Sequence, residues 1–158
     1  PSRVSAFSKQ SLAKIEAEDT LVGWIEFENG AIGSIEATTA TRPKDLEGSI
    51  SILGEKGSVV IGGFAMNKID TWMFTNETDE DDWIRENCSE NPDNKFGYGH
   101  TEFYKAVNNN LRSETTPIVD GIEGRKSLEL ISALYESVET GKIVNLRSYS
   151  TKNKLGVI

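Results

Sequence analysis

Hydrophobic positions follow a period of two in the first half of the chain and a period near 3.6 in the second. Residues 2–9 alternate weakly, and in residues 19–41, DTLVGWIEFENGAIGSIEATTAT, two runs rich in branched and aromatic side chains flank Asn29-Gly30. Asn-Gly tolerates the positive backbone angles of a tight turn, so a β-hairpin is predicted here. A two-residue turn sets Phe27 opposite Ile32, Ile25 opposite Ser34, Trp24 opposite Ile35 and Val22 opposite Ala37. Leu21, Ile25, Phe27 and Ile32 then share one face, and Val22, Trp24, Ala31, Ile35 and Ala37 the other. Both faces are apolar, whereas a sheet with one wet face alternates apolar with polar residues. Each face therefore needs a cover, and a chain this short supplies one layer of helices.

A second hairpin is predicted from residues 49–53 and 58–61, joined by Gly54-Glu55-Lys56-Gly57, with Ile50 and Ile52 opposite Ile61 and Val59. A phosphate loop needs a helix after its glycines, with the helix N-terminus facing the anion. A strand follows here, so Lys56 is expected on a turn tip. KIDTWMF, residues 68–74, reads as a further strand. Residues 75–96 turn acidic without the central glycine and regular oxygen spacing of a calcium loop, and read as a solvated excursion. From His100, Phe103, Tyr104, Val107 and Leu111 form one helical stripe; Leu128, Ile131, Leu134, Tyr135 and Val138 form a second. Asp120 with Glu123 makes a capping-box-like start to the second helix, and Gly141 its stop. KIVNL, residues 142–146, returns as a strand before a polar tail. The fold class is α+β, with five to seven mostly antiparallel strands in a sheet, two long helices on one face and the other face free for oligomer packing.

A length of 158 residues, 37% of them hydrophobic and 27% charged, fits one globular domain. Seventeen Lys and Arg against 25 Asp and Glu give a net charge of −8, which repels phosphate backbones and argues against nucleic acid as a partner. No apolar run approaches the roughly 18–20 residues of a membrane span, and no charged-then-apolar signal opens the chain, so a soluble protein with no membrane partner is expected. The single cysteine, Cys88, rules out an internal disulfide and suits a reducing cytoplasm. Without a secretion signal, the glycosylation patterns at Asn76-Glu77-Thr78 and Asn87-Cys88-Ser89 carry little weight. The opening on Pro1, without Met, suggests a part of something larger.

Candidate chemistry is sparse. One histidine and one cysteine exclude His-rich or Cys-rich zinc sites. Cys88 in an acidic stretch lacks the electropositive setting that makes a thiol nucleophilic. Gly97-Tyr98-Gly99-His100 follows a polar loop where a dinucleotide fingerprint requires a strand. Glu26, Glu28 and Glu36 lie on or beside the hairpin strands, where an acid–base pair is a weak reading. The expectation is that the chain holds no catalytic, cofactor-binding or metal-ligating residue.

Three stretches carry a resemblance: residues 16–43, EAEDTLVGWIEFENGAIGSIEATTATRP; residues 50–63, ISILGEKGSVVIGG; and residues 99–146, from GHTEFYKAV to VETGKIVNL. Together they resemble the C-terminal domain of the Gfo/Idh/MocA oxidoreductases, and the Gly-His opening of the first predicted helix is most similar to the branch acting on nucleotide-sugar acids. The resemblance implies a parent enzyme whose Rossmann domain, absent from this chain, binds NAD or NADP and supplies a catalytic lysine. This chain would be the substrate and oligomer half, starting after the segment that carries the family's catalytic histidine. It would be inactive alone, would form a homo-oligomer through its open sheet face, and would meet a sugar or nucleotide-sugar substrate. Its substrate-binding residues are expected in the loop at Thr41 and Arg42 and the helix start at Gly99 and His100. Arg42 stands where many relatives have Tyr or a small residue before the proline. It can fork onto an anionic sugar substituent or simply be a surface charge. His100 can bond a hydroxyl or phosphate, or only cap its helix. Arg125 and Lys126, near the start of the last helix, read as solvated. A stand-alone binding or assembly module that lost its dehydrogenase half is the alternative.

Overall fold

The computed structural model describes residues 1–46, 48–63, 66–89, 97–113 and 119–146. In chain order its elements are strands β1 (Arg3–Lys9), β2 (Thr20–Glu26), β3 (Ile32–Thr38), β4 (Ile50–Gly54), β5 (Gly57–Gly62) and β6 (Lys68–Phe74), helices α1 (Asp79–Asn87), α2 (Gly99–Ser113) and α3 (Gly121–Thr140), and the short strand β7 (Val144–Asn145). The α+β class holds. The strands divide between two antiparallel sheets, one ordered β3-β2-β1-β7 and the other β4-β5-β6. They belong to two compact units, one built from residues 1–43 and 119–146, the other from the described residues between 44 and 113.

In the first unit α3 lies on β1 and β7. Val4 and Ala6 of β1, Leu21 and Ile25 of β2, and Val144 of β7 meet Ala133 and Leu134 of α3, and all seven are buried. Each such side chain removed from water contributes on the order of 1.5–3 kcal/mol when it is as large as Val or Leu. Gly23 leaves no room for a side chain: an added Cβ would stand 3.0 Å from the Ser5 carbonyl oxygen and 3.1 Å from Leu134 Cδ2 of α3. The α3 boundaries follow the expectation, since Asp120 accepts from the amides of Ile122 and Glu123, both at 2.9 Å, and Gly141 ends the helix at φ 66°.

The register of the first hairpin differs from the two-residue expectation. Phe27 N–H donates to Ala31 O at 2.9 Å and Gly30 takes φ 85°, so the loop is Glu28-Asn29-Gly30, three residues with the glycine left-handed. That extra residue slips each pair by one. Trp24 now faces Ser34, Ile25 faces Gly33 and Gly23 faces Ile35. Ile35 therefore joins Leu21 and Ile25 on the helix side, and Ile32 moves to the opposite face beside Trp24 and Val22. The expectation that both faces are apolar survives. Phe7, Val22, Trp24 and Ile32 all point away from α3, with Phe7 79% and Ile32 85% exposed.

In the second unit the predicted pairs Ile50–Ile61 and Ile52–Val59 are both present. The acidic excursion is partly a helix: the Thr78 backbone N–H and hydroxyl donate to Asp81 Oδ2 at 2.7 and 2.9 Å, closing a cap at the start of α1. Trp72 Nε1 of β6 donates to Asp81 Oδ1 at 2.8 Å, and Arg85 Nη1 donates to Trp72 O at 2.8 Å, which fastens α1 to the sheet. The indole bond, followed by those from Thr78, holds the Asp81 carboxyl below its usual range. Residues 90–96 of the excursion and the polar tail lie outside the described residues.

Candidate functional site

Of the four residues expected to meet substrate, two fall in each unit. Thr41 and Arg42 occupy the loop that leaves β3 in the first unit. Arg42 is exposed, and its Nη1 donates to Thr39 O at 3.1 Å and Thr41 O at 2.7 Å, folding the guanidinium back over its own loop. The loop is held from behind by Thr38. Its hydroxyl donates to Asp19 O at 3.0 Å, accepts the Ala40 amide at 3.0 Å and lies 2.9 Å from the Thr20 hydroxyl. The Thr39 amide also donates to Asp19 O, at 2.8 Å.

Behind this loop lies a cavity of about 410 Å³, all of it within the first unit. Leu21, Ile35, Ala37, Ile131 and Leu134 supply an apolar lining, and Glu18, Thr20, Thr38, Thr39 and Tyr135 supply polar atoms. Tyr135 Oη donates to Glu18 Oε1 at 2.7 Å. That bond, with burial and the carboxylate's charge, pushes the Tyr135 hydroxyl up to about 12. Asp19 is buried, 2% exposed, and its Oδ2 accepts the amides of Ser11, Leu12 and Ala13 at 2.9, 2.6 and 2.9 Å. Those bonds, led by Leu12 and Ala13, bring its carboxyl down to about 2. In the sequence, Glu18-Asp19-Thr20 lies within a stretch that carries the family resemblance, and Tyr135 within a helical apolar stripe. Their pairing spans 117 positions, which no local pattern reveals.

Gly99 and His100 open α2 in the second unit. Open space surrounds the place where a Gly99 Cβ would stand, and His100 is exposed. Phe103, Tyr104 and Leu111 of the predicted α2 stripe are each more than half exposed. The weaker candidates are placed as follows. Lys56 is exposed at the tip of the second hairpin, where its carbonyl accepts from Thr75. Glu26 pairs with Arg3 across β1 and β2. Lys126 pairs with Glu123 at 2.5 Å and Arg125 with Glu129 at 2.6 Å. Cys88 is exposed just beyond α1. Among the described residues no group of three or more His, Cys, Asp or Glu side chains is close enough to share a metal, and no described helix is long and apolar enough to cross a membrane.

Among the described residues, two of the three helix starts are unsuited to a phosphate. Asp79, Glu80, Asp81 and Asp82 fill the first turn of α1, and Asp120 already takes the leading amides of α3.

Residues 1–146 match the family model described as the oxidoreductase family, C-terminal alpha/beta domain. Among solved structures, the chain is similar to the WlbA dehydrogenase from Bordetella pertussis in complex with NADH and UDP-GlcNAcA, at 41% identity and TM-score 0.78, covering 91% of this chain and 39% of that one. It is likewise similar to the WlbA dehydrogenase from Chromobacterium violaceum, also in complex with NADH and UDP-GlcNAcA, at 43% identity and TM-score 0.77 over the same shares. A probable dehydrogenase from Thermotoga maritima shares the fold at 22% identity and TM-score 0.69, over 94% of this chain and 44% of that one. A comparison with curated proteins returned no match.

Proposed function

The chain belongs to the C-terminal alpha/beta domain family of the Gfo/Idh/MocA oxidoreductases, and from that we propose that it is the substrate-binding and oligomerising half of an NAD(P)-dependent dehydrogenase whose substrate is a nucleotide-sugar acid. The observation that carries this reading is identity of 41% and 43%, over 91% of the chain, with two dehydrogenases whose complexes contain NADH and UDP-GlcNAcA. The chain spans 39% of either one, which leaves room for a nucleotide-binding domain in the parent protein.

Neither α1 nor α3 offers a dinucleotide a place to bind. Binding a dinucleotide takes a strand, a glycine loop and a helix whose amides face the pyrophosphate. The starts of α1 and α3 are instead occupied by carboxylates. We therefore assign the nicotinamide to the absent Rossmann domain and hydride transfer to a site this chain completes but does not contain. The task of this chain is recognition. Arg42 receives the substrate carboxylate in a forked contact, with Thr41 beside it; taken by itself in the second unit, the α2 start at Gly99 and His100 suits an anionic or hydroxyl group. The open face of Phe7, Val22, Trp24 and Ile32 packs on a second copy, since a cluster of large apolar side chains is seldom left wet on a monomer. One thiol and no membrane-spanning helix among the described residues suit a cytoplasmic enzyme.

The test is NAD⁺ reduction by the intact parent protein. With UDP-GlcNAcA as substrate, Arg42→Ala should raise KM roughly tenfold, about 1.4 kcal/mol, and leave the NAD⁺ constant alone. Inhibition by UDP, which lacks the carboxylate, should not change. No reduction of NAD⁺ or NADP⁺ with any sugar or nucleotide sugar would favour the stand-alone binding module instead.

A further inference from the structure

The geometry points to Thr38 as the positioning residue of the Arg42 loop: its hydroxyl sets the loop so that the Nε–Nη2 edge of the guanidinium is ready for a carboxylate before substrate arrives. This rests on the role given to Arg42 above and adds how that role is prepared.

A threonine hydroxyl has one proton to donate and two lone pairs to accept with. At Thr38 the proton goes to Asp19 O at 3.0 Å and one lone pair takes the Ala40 amide at 3.0 Å. The Thr20 hydroxyl lies 2.9 Å away and divides its single proton between Thr38 and Asp19 Oδ1, at 3.3 Å. Asp19 is itself immobilised by its three amide bonds to residues 11–13, so the carbonyl that anchors Thr38 belongs to a fixed, buried residue. The chain thus leaves β3 in a set direction, with Ala40 tied down two positions before Arg42.

The guanidinium completes the loop. Both Nη1 protons are spent on Thr39 O and Thr41 O, which fixes the plane of the group and removes one of its edges from use. Nε and Nη2 make no hydrogen bond to the described residues, and they form the edge that meets a carboxylate with two parallel N–H···O bonds. A fork whose plane is fixed beforehand binds without first losing the rotamer freedom of a long exposed side chain. A carboxylate matches that planar edge, and we commit to the carboxylate of the sugar acid as its ligand.

The experiment is a double-mutant cycle in the intact dehydrogenase with Thr38→Val, which keeps the branched shape and strand preference but removes the hydroxyl. T38V should raise KM for the sugar acid about fivefold while kcat and inhibition by UDP stay at wild-type values, and Thr38→Ser should restore KM. On the Arg42→Ala background, T38V should add almost nothing, because both changes remove the same contact. A full additive effect of T38V in that background, an unchanged KM in T38V alone, or an equal weakening of UDP overturns the inference while leaving the proposed function standing. If Arg42→Ala itself leaves KM unchanged, the reading of Arg42 fails and this inference with it. Amide exchange on the wild-type protein gives a check that needs no variant: the Ala40 N–H should exchange slowly, and exchange at the rate of an open peptide contradicts the anchor.

Discussion

Ser137→Ala tests how α3 is fastened to its sheet. β7 pairs with β1 only at Arg3 and Val4, so the Ala6 amide extends past the end of that ladder. Ser137, 1% exposed, fills the gap: its hydroxyl accepts from Ala6 N at 3.1 Å and donates to Lys142 O at 2.7 Å, with Ser5 Oγ at 3.4 Å. One side chain thus joins helix, central strand and the turn into β7. Alanine keeps the helix and removes both bonds. Ala6 is 4% exposed, so its stranded amide costs about 1–3 kcal/mol, while Lys142 is exposed and its carbonyl can recover water, adding about 1 kcal/mol. The sum is about 2–4 kcal/mol, a fall in Tm of roughly 5–15 °C for a chain of this size. Urea unfolding followed by the fluorescence of Trp24, which lies in β2 of the same unit, gives the value directly. A midpoint within about 0.5 kcal/mol of wild type at unchanged m would show that the Ala6 amide finds another partner and that the gap in the ladder is not real.

The other expectations are smaller in scope. The Asp19 carboxyl is held at about 2, below its unfolded value, so the stability it contributes is present above pH 4 and drains as pH falls toward 2; Asp19→Asn should flatten that acid limb in urea midpoints, and an unaltered limb would remove Asp19 from the account. Tyr135 is held at about 12 against an ordinary 10.0, so its contribution is present below pH 10 and is lost as pH rises toward 12. Glu18→Gln should bring the Tyr135 phenolate signal, identified by difference from Tyr135→Phe, back toward 10, and an unmoved titration would deny the Glu18 bond. Trp24→Glu, on the open sheet face, should turn the assembled protein into a monomer in sedimentation; a wild-type protein that is already monomeric at tens of micromolar by order of magnitude would set that face aside.

Local features were legible in the residues themselves. Asp120 and Gly141 mark the ends of α3 because capping chemistry is contained within a turn. The second hairpin has its predicted register because Gly54 and Gly57 bracket a two-residue turn. Asn29-Gly30 was ambiguous for a physical reason: a left-handed glycine serves a two-residue turn and a three-residue loop with a bulge alike, and only packing against α3 decides which set of side chains is buried. Helix α1 was hidden by its charge. Thr78 and Asp81 stand at capping-box spacing, but the aspartate replaces the usual Glu or Gln, and the acidic run around it reads as solvated. The site was the least legible part. Thr41 and Arg42 drew notice for their chemistry, whereas Thr38, Asp19, Glu18 and Tyr135 matter through contacts that exist only once β2, β3 and α3 are assembled.

The central claim is that this chain recognises substrate and leaves the cofactor to another domain. Hydrogen exchange on the intact dehydrogenase, read by mass spectrometry with each ligand added separately, addresses both halves at once. UDP-GlcNAcA should protect residues 39–43 and the start of α2 at residues 98–101, while NADH alone should leave residues 1–146 at their unliganded rates. Protection of these residues by NADH alone, or none by UDP-GlcNAcA at the Arg42 loop, would contradict it.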